Sequence, residues 1–362
     1  MILFFSPSAK RPIGGIKQIY RHAQILSEAG LHARVLHAKA GQRCRWFSST
    51  ASLAHLDEHW MVRVGRAATH RLRSVGPPPE LRINPGRRIG LEGADGSIQP
   101  YTTTEQDIVV LPEFFGCGLN GAVTRLRQVI FNQNAHGTFS RCGMQKESGS
   151  SVYAQSNTLG TVTVSEHNRE YLQFAFPSAR VLRVRNGVDG TLFAPRPKKE
   201  LRIAFMPRKL PKHLEQVIRL LASRGRLAGW QLAPIDGASE RQVADELGRA
   251  LVYLSTCESE GFGLPPVEAG MCGCVVVGYS GIAAREYLQP HLSFPVPQGD
   301  VLAFAQELER VLSWCETHPV DAEAKGRQFS EYLNCEYSLE RERQSVLAAW
   351  RDLLGGELSP ER

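Results

Sequence analysis

Short apolar runs alternate along the chain with stretches of helical period, and glycine, proline and polar clusters separate them. Ile2–Phe5, Ala33–Ala38, Asp107–Leu111, Val129–Gln133, Thr161–Ser165 and Ala179–Val184 each read as a buried strand. Gly14 and Gly15 open an amphipathic helix whose apolar face carries Ile16, Ile19, Tyr20, Ala23 and Leu26, and Gly30 stops it. Ser165 is placed to N-cap a helix from Glu166 to Phe174. A second series follows, with strands at Leu201–Met206, Trp230–Ile235, Ala250–Ser255 and Cys274–Gly278. Its helices run through Leu214, Val217, Ile218 and Leu221, over Glu240–Leu251, over Val301–Trp314 and over Glu340–Leu354. This alternation predicts an α/β protein with parallel sheets. From Gly41 to Thr104 the pattern is poor, with Pro77-Pro-Pro79 marking a turn. Long irregular stretches inside compact domains tend to carry function.

A chain of 362 residues exceeds one ordinary core and suits two domains. Its 42% hydrophobic and 22% charged residues are those of a globular enzyme, not of a disordered or membrane-spanning chain. The apolar start, Met1–Ser6, is too short for a signal peptide, and no run reaches the length of a transmembrane helix. Eight cysteines occur without a C-x-x-C pair, so the expectation is reduced thiols in a cytoplasmic protein rather than disulfides or zinc.

The net charge of +7 is uneven, about +10 over residues 1–189 and about −3 over the rest. Arg63, Arg66, Arg71, Arg73, Arg82, Arg87 and Arg88 share a stretch with one acid, Glu80. Such a stretch fits a phosphate-bearing partner, such as a lipid-linked acceptor or an anionic membrane surface; the plainer reading is a solvated basic face. Nucleic acid is disfavoured, because no aromatic interleaving accompanies the charge.

The densest chemistry lies after the strand Ala250–Ser255. Glu260-Gly-Phe-Gly-Leu264 is a glycine-broken loop, and Pro265-Pro266 suits a helix start, which puts Glu268 in the first turn. A strand, a glycine loop and a helix N-terminus together suit a phosphate and its attached sugar. Gly116-Cys-Gly-Leu-Asn-Gly121 spells a dinucleotide fingerprint by letters. Glu113-Phe-Phe separates it from the strand and no acid lies at the ribose distance, so that reading is rejected.

Glu260 and Glu268, eight positions apart around Gly-Phe-Gly-Leu-Pro and followed by Ala269, resemble the paired-glutamate signature of family 4 glycosyltransferases of the GT-B fold. The resemblance is specific from Asn186 to Glu286 and architectural before that. It implies two Rossmann-like domains facing across a cleft, with residues 1–186 as the acceptor side and 187–335 as the donor side. A last helix, in 336–362, would cross back to the first domain. It further implies that Glu268 binds the donor ribose and Glu260 lies by the donor sugar. The backbone of Gly261, Phe262, Gly263 and Leu264 would meet the sugar and diphosphate.

After the strand Leu201–Met206, Arg208 matches the family's diphosphate-binding arginine, and either Lys209 or Lys212 its lysine. Pro207 and His213 depart from the family's usual glycines. In the first domain Gly15 matches a helix-start glycine. Asn134 and His136, just past the strand Val129–Gln133, are ligand candidates by position, with His136 able to take an acceptor proton. Asn186-Gly-Val-Asp189 resembles the interdomain joint, read as a turn with Gly187 left-handed.

The expectation is thus a metal-independent, retaining hexosyltransferase with no cofactor. It would move a sugar from a sugar nucleotide to a glycan or lipid-linked acceptor in bacterial cell-surface polysaccharide synthesis. It would work in the cytoplasm, at the inner face of the membrane where the basic stretch docks. The absence of an Asp-x-Asp motif argues against the metal-dependent transferase fold. The alternatives are an epimerase or hydrolase on the same fold, or a non-catalytic sugar-nucleotide-binding scaffold.

Overall fold

A computed structural model describes residues 1–9, 13–56, 81–142 and 151–356. The chain divides into two compact units, one of 1–164, 168–184 and 344–362, the other of 165–167 and 185–343. The helix Leu339–Leu353 contributes to both, passing from one to the other at Gln344.

In the first unit the described strands are β1 (Ile2–Phe5), β2 (Ala33–His37), β3 (Leu53–Leu56), β4 (Arg88–Glu92), β5 (Ile98–Thr102), β6 (Ile108–Pro112), β7 (Arg127–Asn132), β8 (Thr158–Thr163) and β9 (Val181–Arg183). They form one sheet in the order β5-β4-β3-β2-β1-β6-β7-β8-β9. From β3 to β9 every pairing is parallel, and β4 and β5 add an antiparallel hairpin at the β3 edge. Order reverses between β1 and β6, a Rossmann-like switch point. Leu3, Val109, Leu111 and Ile130 are fully buried in its core.

β3, β4 and β5 fall inside the stretch that sequence left irregular. β3 is only four residues and carries a histidine, Leu53-Ala-His-Leu56. β5 is an edge strand whose Ile98, Gln99 and Pro100 are exposed, so no apolar alternation marks it, and an edge tolerates proline. The arginines at 63, 66, 71 and 73 lie outside the described residues.

The second unit holds β10 (Glu200–Phe205), β11 (Gln231–Pro234), β12 (Ala250–Cys257), β13 (Val275–Ser280) and β14 (Phe294–Val296), all parallel, in the order β11-β10-β12-β13-β14. Its switch point lies between β10 and β12. Eight consecutive buried residues make β12 the central strand. The helix Glu240–Arg249 starts at a reciprocal cap of Ser239 and Gln242, and Asp300 caps the helix Val301–Thr317 by accepting the Ala303 N–H. Sequence periodicity missed the helix Pro319–Glu336, whose weak apolar stripe rests on the helix Leu264–Met271.

Gly187 is not left-handed. Its need is close approach: a Cβ there would lie 2.8 Å from Glu342 Cβ and 2.9 Å from the Ser338 carbonyl oxygen, beside a bridge between Val188 and Ser338. Two cysteines also overturn the all-thiol expectation. Cys117 and Cys142 are bridged, with Cα atoms 5.4 Å apart, because the loops after the adjacent strands β6 and β7 bring them together. The other six are free, and of these only Cys335 is exposed. Iodoacetamide should therefore label one cysteine in the native protein, six after unfolding without reductant, and eight after reduction, as read by intact mass. Eight labels without reductant would show the pair unbridged.

Candidate functional site

In open parallel sheets, ligands sit beyond the carboxyl ends of the strands on either side of the switch point. In the second unit those ends carry the Pro207–Leu210 loop after β10 and the Glu258–Gly263 loop after β12. The two loops meet through one ion pair: Lys209 Nζ lies 3.0 Å from Glu260 Oε1. The other carboxylate oxygen of Glu260 accepts from the Cys257 thiol at 3.6 Å. Burial, then the neighbouring Glu260 charge, pushes the Cys257 pKa well up, so it stays a thiol and can donate. Arg208 is exposed on the same loop, and Lys212 is exposed on the first turn of the helix Pro211–Ser223. The structure thus brings Lys209, not Lys212, to the first glutamate of the signature.

Leu210, the N-cap of that helix, is left-handed at φ +45°, which for a leucine costs about 1–2 kcal/mol. His213 Nδ1 lies 3.2 Å from Tyr279 Oη, pinning the helix start over β13.

The glycine loop is held from beneath. Gly263 has φ +87°, and a Cβ there would lie 2.8 Å from Tyr287 Oη and 2.9 Å from Cys257 Sγ. The Tyr287 hydroxyl donates to the carbonyls of Phe262 (2.9 Å) and Gly263 (2.5 Å). Phe262 is buried against Tyr287 and Tyr337, with both ring centroids at 5.3 Å. Its side chain is therefore an anchor, and only its backbone N–H can face a ligand. Gly261 and Gly263 are likewise buried, with Leu264 half-buried.

The helix begins at Leu264 with Gly263 as N-cap, so its first turn holds no acid and Glu268 falls one residue beyond it. The expected dipole contact of Glu268 with the first turn is corrected accordingly. Pro265 and Pro266 have no N–H, which leaves the amides of Gly263 and Leu264 as the donors of that terminus. Glu268 is half-buried.

The first unit also holds a buried carboxylate, Glu113, that no sequence motif marks. Glu113 directly follows β6 and is buried, and a Cβ on Gly137 would lie 3.2 Å from its Cγ. Gln133 Nε2 donates to the Gly15 carbonyl at 2.9 Å, and a Cβ on Gly15 would already lie 3.3 Å from that side chain. Asn134 Oδ1 accepts the His136 N–H at 3.1 Å, and the exposed His136 ring stands 6.2 Å from Tyr171. Gly15 is thus tied to Gln133, and Asn134 to His136; Gln133, Asn134 and His136 all lie just past β7. The strand-end rule that selected Asn134 applies equally to Glu113. Gly116, by contrast, lies in a 3₁₀ segment, Glu113–Leu119, that opens no α-helix.

Residues 234–328 match the family described as glycosyl transferases group 1. This segment contains both glutamates of the signature. Among solved structures the chain is similar to sucrose-phosphate synthase from Thermosynechococcus elongatus, at 13% identity and TM-score 0.66, covering 98% of this chain and 99% of that one. It is similar to a mutant form of TarM from S. aureus, solved with fondaparinux, alpha-GlcNAc-glycerol and UDP, at 10% identity and TM-score 0.61, covering 98% and 99%. It is similar also to HepE of Anabaena, solved with UDP and glucose, at 12% identity and TM-score 0.57, covering 97% and 99%. No curated protein matches it by sequence. At these identities the likeness concerns the fold: two Rossmann-like α/β domains of the GT-B class.

Burial raises the Glu113 carboxyl from 4.5 to about 7. Between those values the folded chain holds a proton that the unfolded chain has released, so this group's contribution to stability falls as pH rises through that window. Glu113→Gln removes the dependence. The variant's stability relative to wild type should therefore improve by roughly 3 kcal/mol between about pH 4.5 and pH 8, whatever its offset. Urea melts at the two pH values measure it, and a pH-independent difference would place the carboxyl at an ordinary value.

Proposed function

We propose that the protein is a retaining glycosyltransferase that takes a hexose from a nucleoside-diphosphate donor, held by the second unit, to a glycan or lipid-linked acceptor. The carrying observation is the Lys209–Glu260 pair beside Arg208 at the β10/β12 switch point, within a chain whose residues 234–328 match group 1 glycosyl transferases. Breaking the bond from sugar to diphosphate builds positive charge on the sugar and negative charge on the departing phosphate. Arg208, Lys209 and the amides of Gly263 and Leu264 would receive the phosphate charge. Glu260 would face the sugar, and Glu268 the ribose. With cations and a helix terminus in this role, the reading requires no metal. Lys209 is preferred to Lys212 because it already lies against Glu260. On the first unit His136 would meet the acceptor hydroxyl.

UDP and UDP-glucose are the first probes, since TarM and HepE were solved with UDP. Glu268→Gln should weaken UDP binding by about 1–3 kcal/mol in a calorimetric titration. Arg208→Ala should abolish most turnover with little change in Tm, because the guanidinium's bonds strengthen as the leaving group gains charge. Binding without release of UDP from any sugar nucleotide would favour the scaffold reading. A fully active Arg208→Ala would sink the diphosphate assignment.

We also propose a peripheral contact between the basic stretch and an anionic acceptor or membrane surface in a cytoplasmic protein. Arg82 and Arg88 are exposed, and no described helix is long and apolar enough to cross a membrane. Co-sedimentation with vesicles rich in phosphatidylglycerol should fall steeply with salt. No co-sedimentation at low salt would leave a solvated face.

A further inference from the structure

β12 and β13 run in register as far as Cys257 and Ser280, the last paired residues of the two strands. Beyond them the chain enters the Glu258–Gly263 loop on one side and the loop that starts at Gly281 on the other. The next rung of the ladder is supplied by a side chain. Gln298 Nε2 donates to the Cys257 carbonyl at 3.1 Å, and Gln298 Oε1 accepts the Gly281 N–H at 3.1 Å. A carbonyl can only accept and an N–H can only donate, so these partners fix which way the amide points. A primary amide carries the donor and acceptor of a peptide group, and Gln298 takes the place of one more strand residue.

Gln298 reaches that place from the edge of the sheet. It lies between β14, which ends at Val296, and the helix Val301–Thr317, in a turn closed by the Asp300 N–H on the Pro297 carbonyl at 3.2 Å. The two loops it joins also pack on each other: Gly281 has φ +55°, and a Cβ there would lie 2.5 Å from the Glu258 carbonyl oxygen. Cys257 links this clamp to the first glutamate of the signature. Its carbonyl is held by Gln298, and its thiol donates to Glu260 Oε2 at 3.6 Å, while Glu260 Oε1 lies 3.0 Å from Lys209 Nζ. Tyr287 holds the far end of the same loop through the carbonyls of Phe262 and Gly263. Gln298 therefore fixes the entrance of the loop and Tyr287 its exit. Gln298 is itself exposed, so it adds little burial; what it contributes is the two bonds.

We propose that Gln298 is a positioning residue: its amide fixes the Cys257 backbone, and through the Cys257 thiol the carboxylate of Glu260. The proposal rests on the reading of Glu260 as facing the sugar of a nucleoside-diphosphate donor. Gln298 acts through Cys257 rather than on the substrate. It sets where the Glu258–Gly263 loop leaves β12, while Tyr287 keeps the turn into the helix Leu264–Met271 in place. Its loss should disturb Glu260 more than the amides of Gly263 and Leu264. A group displaced beside the reacting sugar costs turnover rather than nucleotide affinity.

The test reads the clamp and the chemistry separately. In the first arm the native protein is treated with iodoacetamide and the labelled cysteines are mapped by mass spectrometry. Cys257, Cys272 and Cys274 are all buried in the second unit. Gln298→Ala should raise the labelling rate of Cys257 by about tenfold through local opening of the loop, and leave Cys272 and Cys274 protected. An unchanged Cys257 rate would overturn the clamp. Labelling of all three would show general loosening and overturn a positioning role. In the second arm UDP release from UDP-glucose is followed. Gln298→Ala should lower kcat by about tenfold, with KM and the calorimetric affinity for UDP within about twofold of wild type. Gln298→Glu tests the amide itself. Ionised, it can accept the Gly281 N–H but sets an oxygen against the Cys257 carbonyl; protonated, it regains a donor and reproduces the amide. Glu258 follows Cys257 and Asp300 lies two residues on, so the introduced carboxyl should protonate above its ordinary value of about 4.3. Its kcat relative to wild type should therefore be low at pH 8 and recover about fivefold by about pH 5. A ratio that does not change with pH, or a loss confined to UDP affinity, would overturn the role. If UDP-glucose and other sugar nucleotides are not consumed at all, the transferase reading fails, and Cys257 labelling alone decides on Gln298.

Discussion

The ion pair between Lys209 and Glu260 joins the two loops that follow β10 and β12. As a source of stability it is minor. The lysine side chain is 48% exposed, and pairs of that kind are worth about 0–1 kcal/mol. Its importance is geometric. β10 and β12 are neighbours in the sheet although the chain visits β11 between them, so their loops diverge from adjacent strand ends. A bond across that divergence places a cation and a carboxylate side by side at the point where the sheet itself offers no side chain.

Glu260 could not hold that position from the loop alone. Its second oxygen is taken by the Cys257 thiol, and the loop beyond it is fixed by Tyr287 through the carbonyls of Phe262 and Gly263. The letters of the signature therefore divide their labour. The glutamates place carboxylates on the loop and on the helix after it, Gly263 makes room for Tyr287 and Cys257, and Phe262 locks the loop into an aromatic cluster with Tyr287 and Tyr337. A loop built this way is preorganised by the packing and the hydrogen bonds of the residues beneath it.

That division explains what was legible in the sequence. The strands of both sheets' centres announced themselves because parallel strands buried on both faces are continuous apolar runs. The signature was legible because glutamates, glycines and prolines at fixed spacing each have a local meaning. Residues whose meaning is tertiary were not. Gly187 looked like a turn glycine, and only the nearness of Glu342 and Ser338 shows that it is there for close approach. Cys117 and Cys142 are 25 positions apart and meet through the pairing of β6 with β7. Glu268 was set one residue too early because proline is tolerated throughout a first turn, so Pro265-Pro266 did not mark the start at Leu264. Glu113 is a single letter buried by the loop past β7 that packs on it, and burial of that kind leaves no trace in sequence.

The two units place their central carboxylates in opposite electrostatic settings. Glu260 faces an ammonium group near solvent, where an arriving anion can compete for the lysine and where salt screens the pair. Glu113 is sealed beneath a loop, and burial dominates its ionisation. Added salt reaches the first readily and the second poorly, whereas a change of pH near neutrality acts on the second. The sheet order that creates each switch point is similar in the two units. What differs is the solvent access of the carboxylate placed there, and that access decides whether the group answers to ionic strength or to protons.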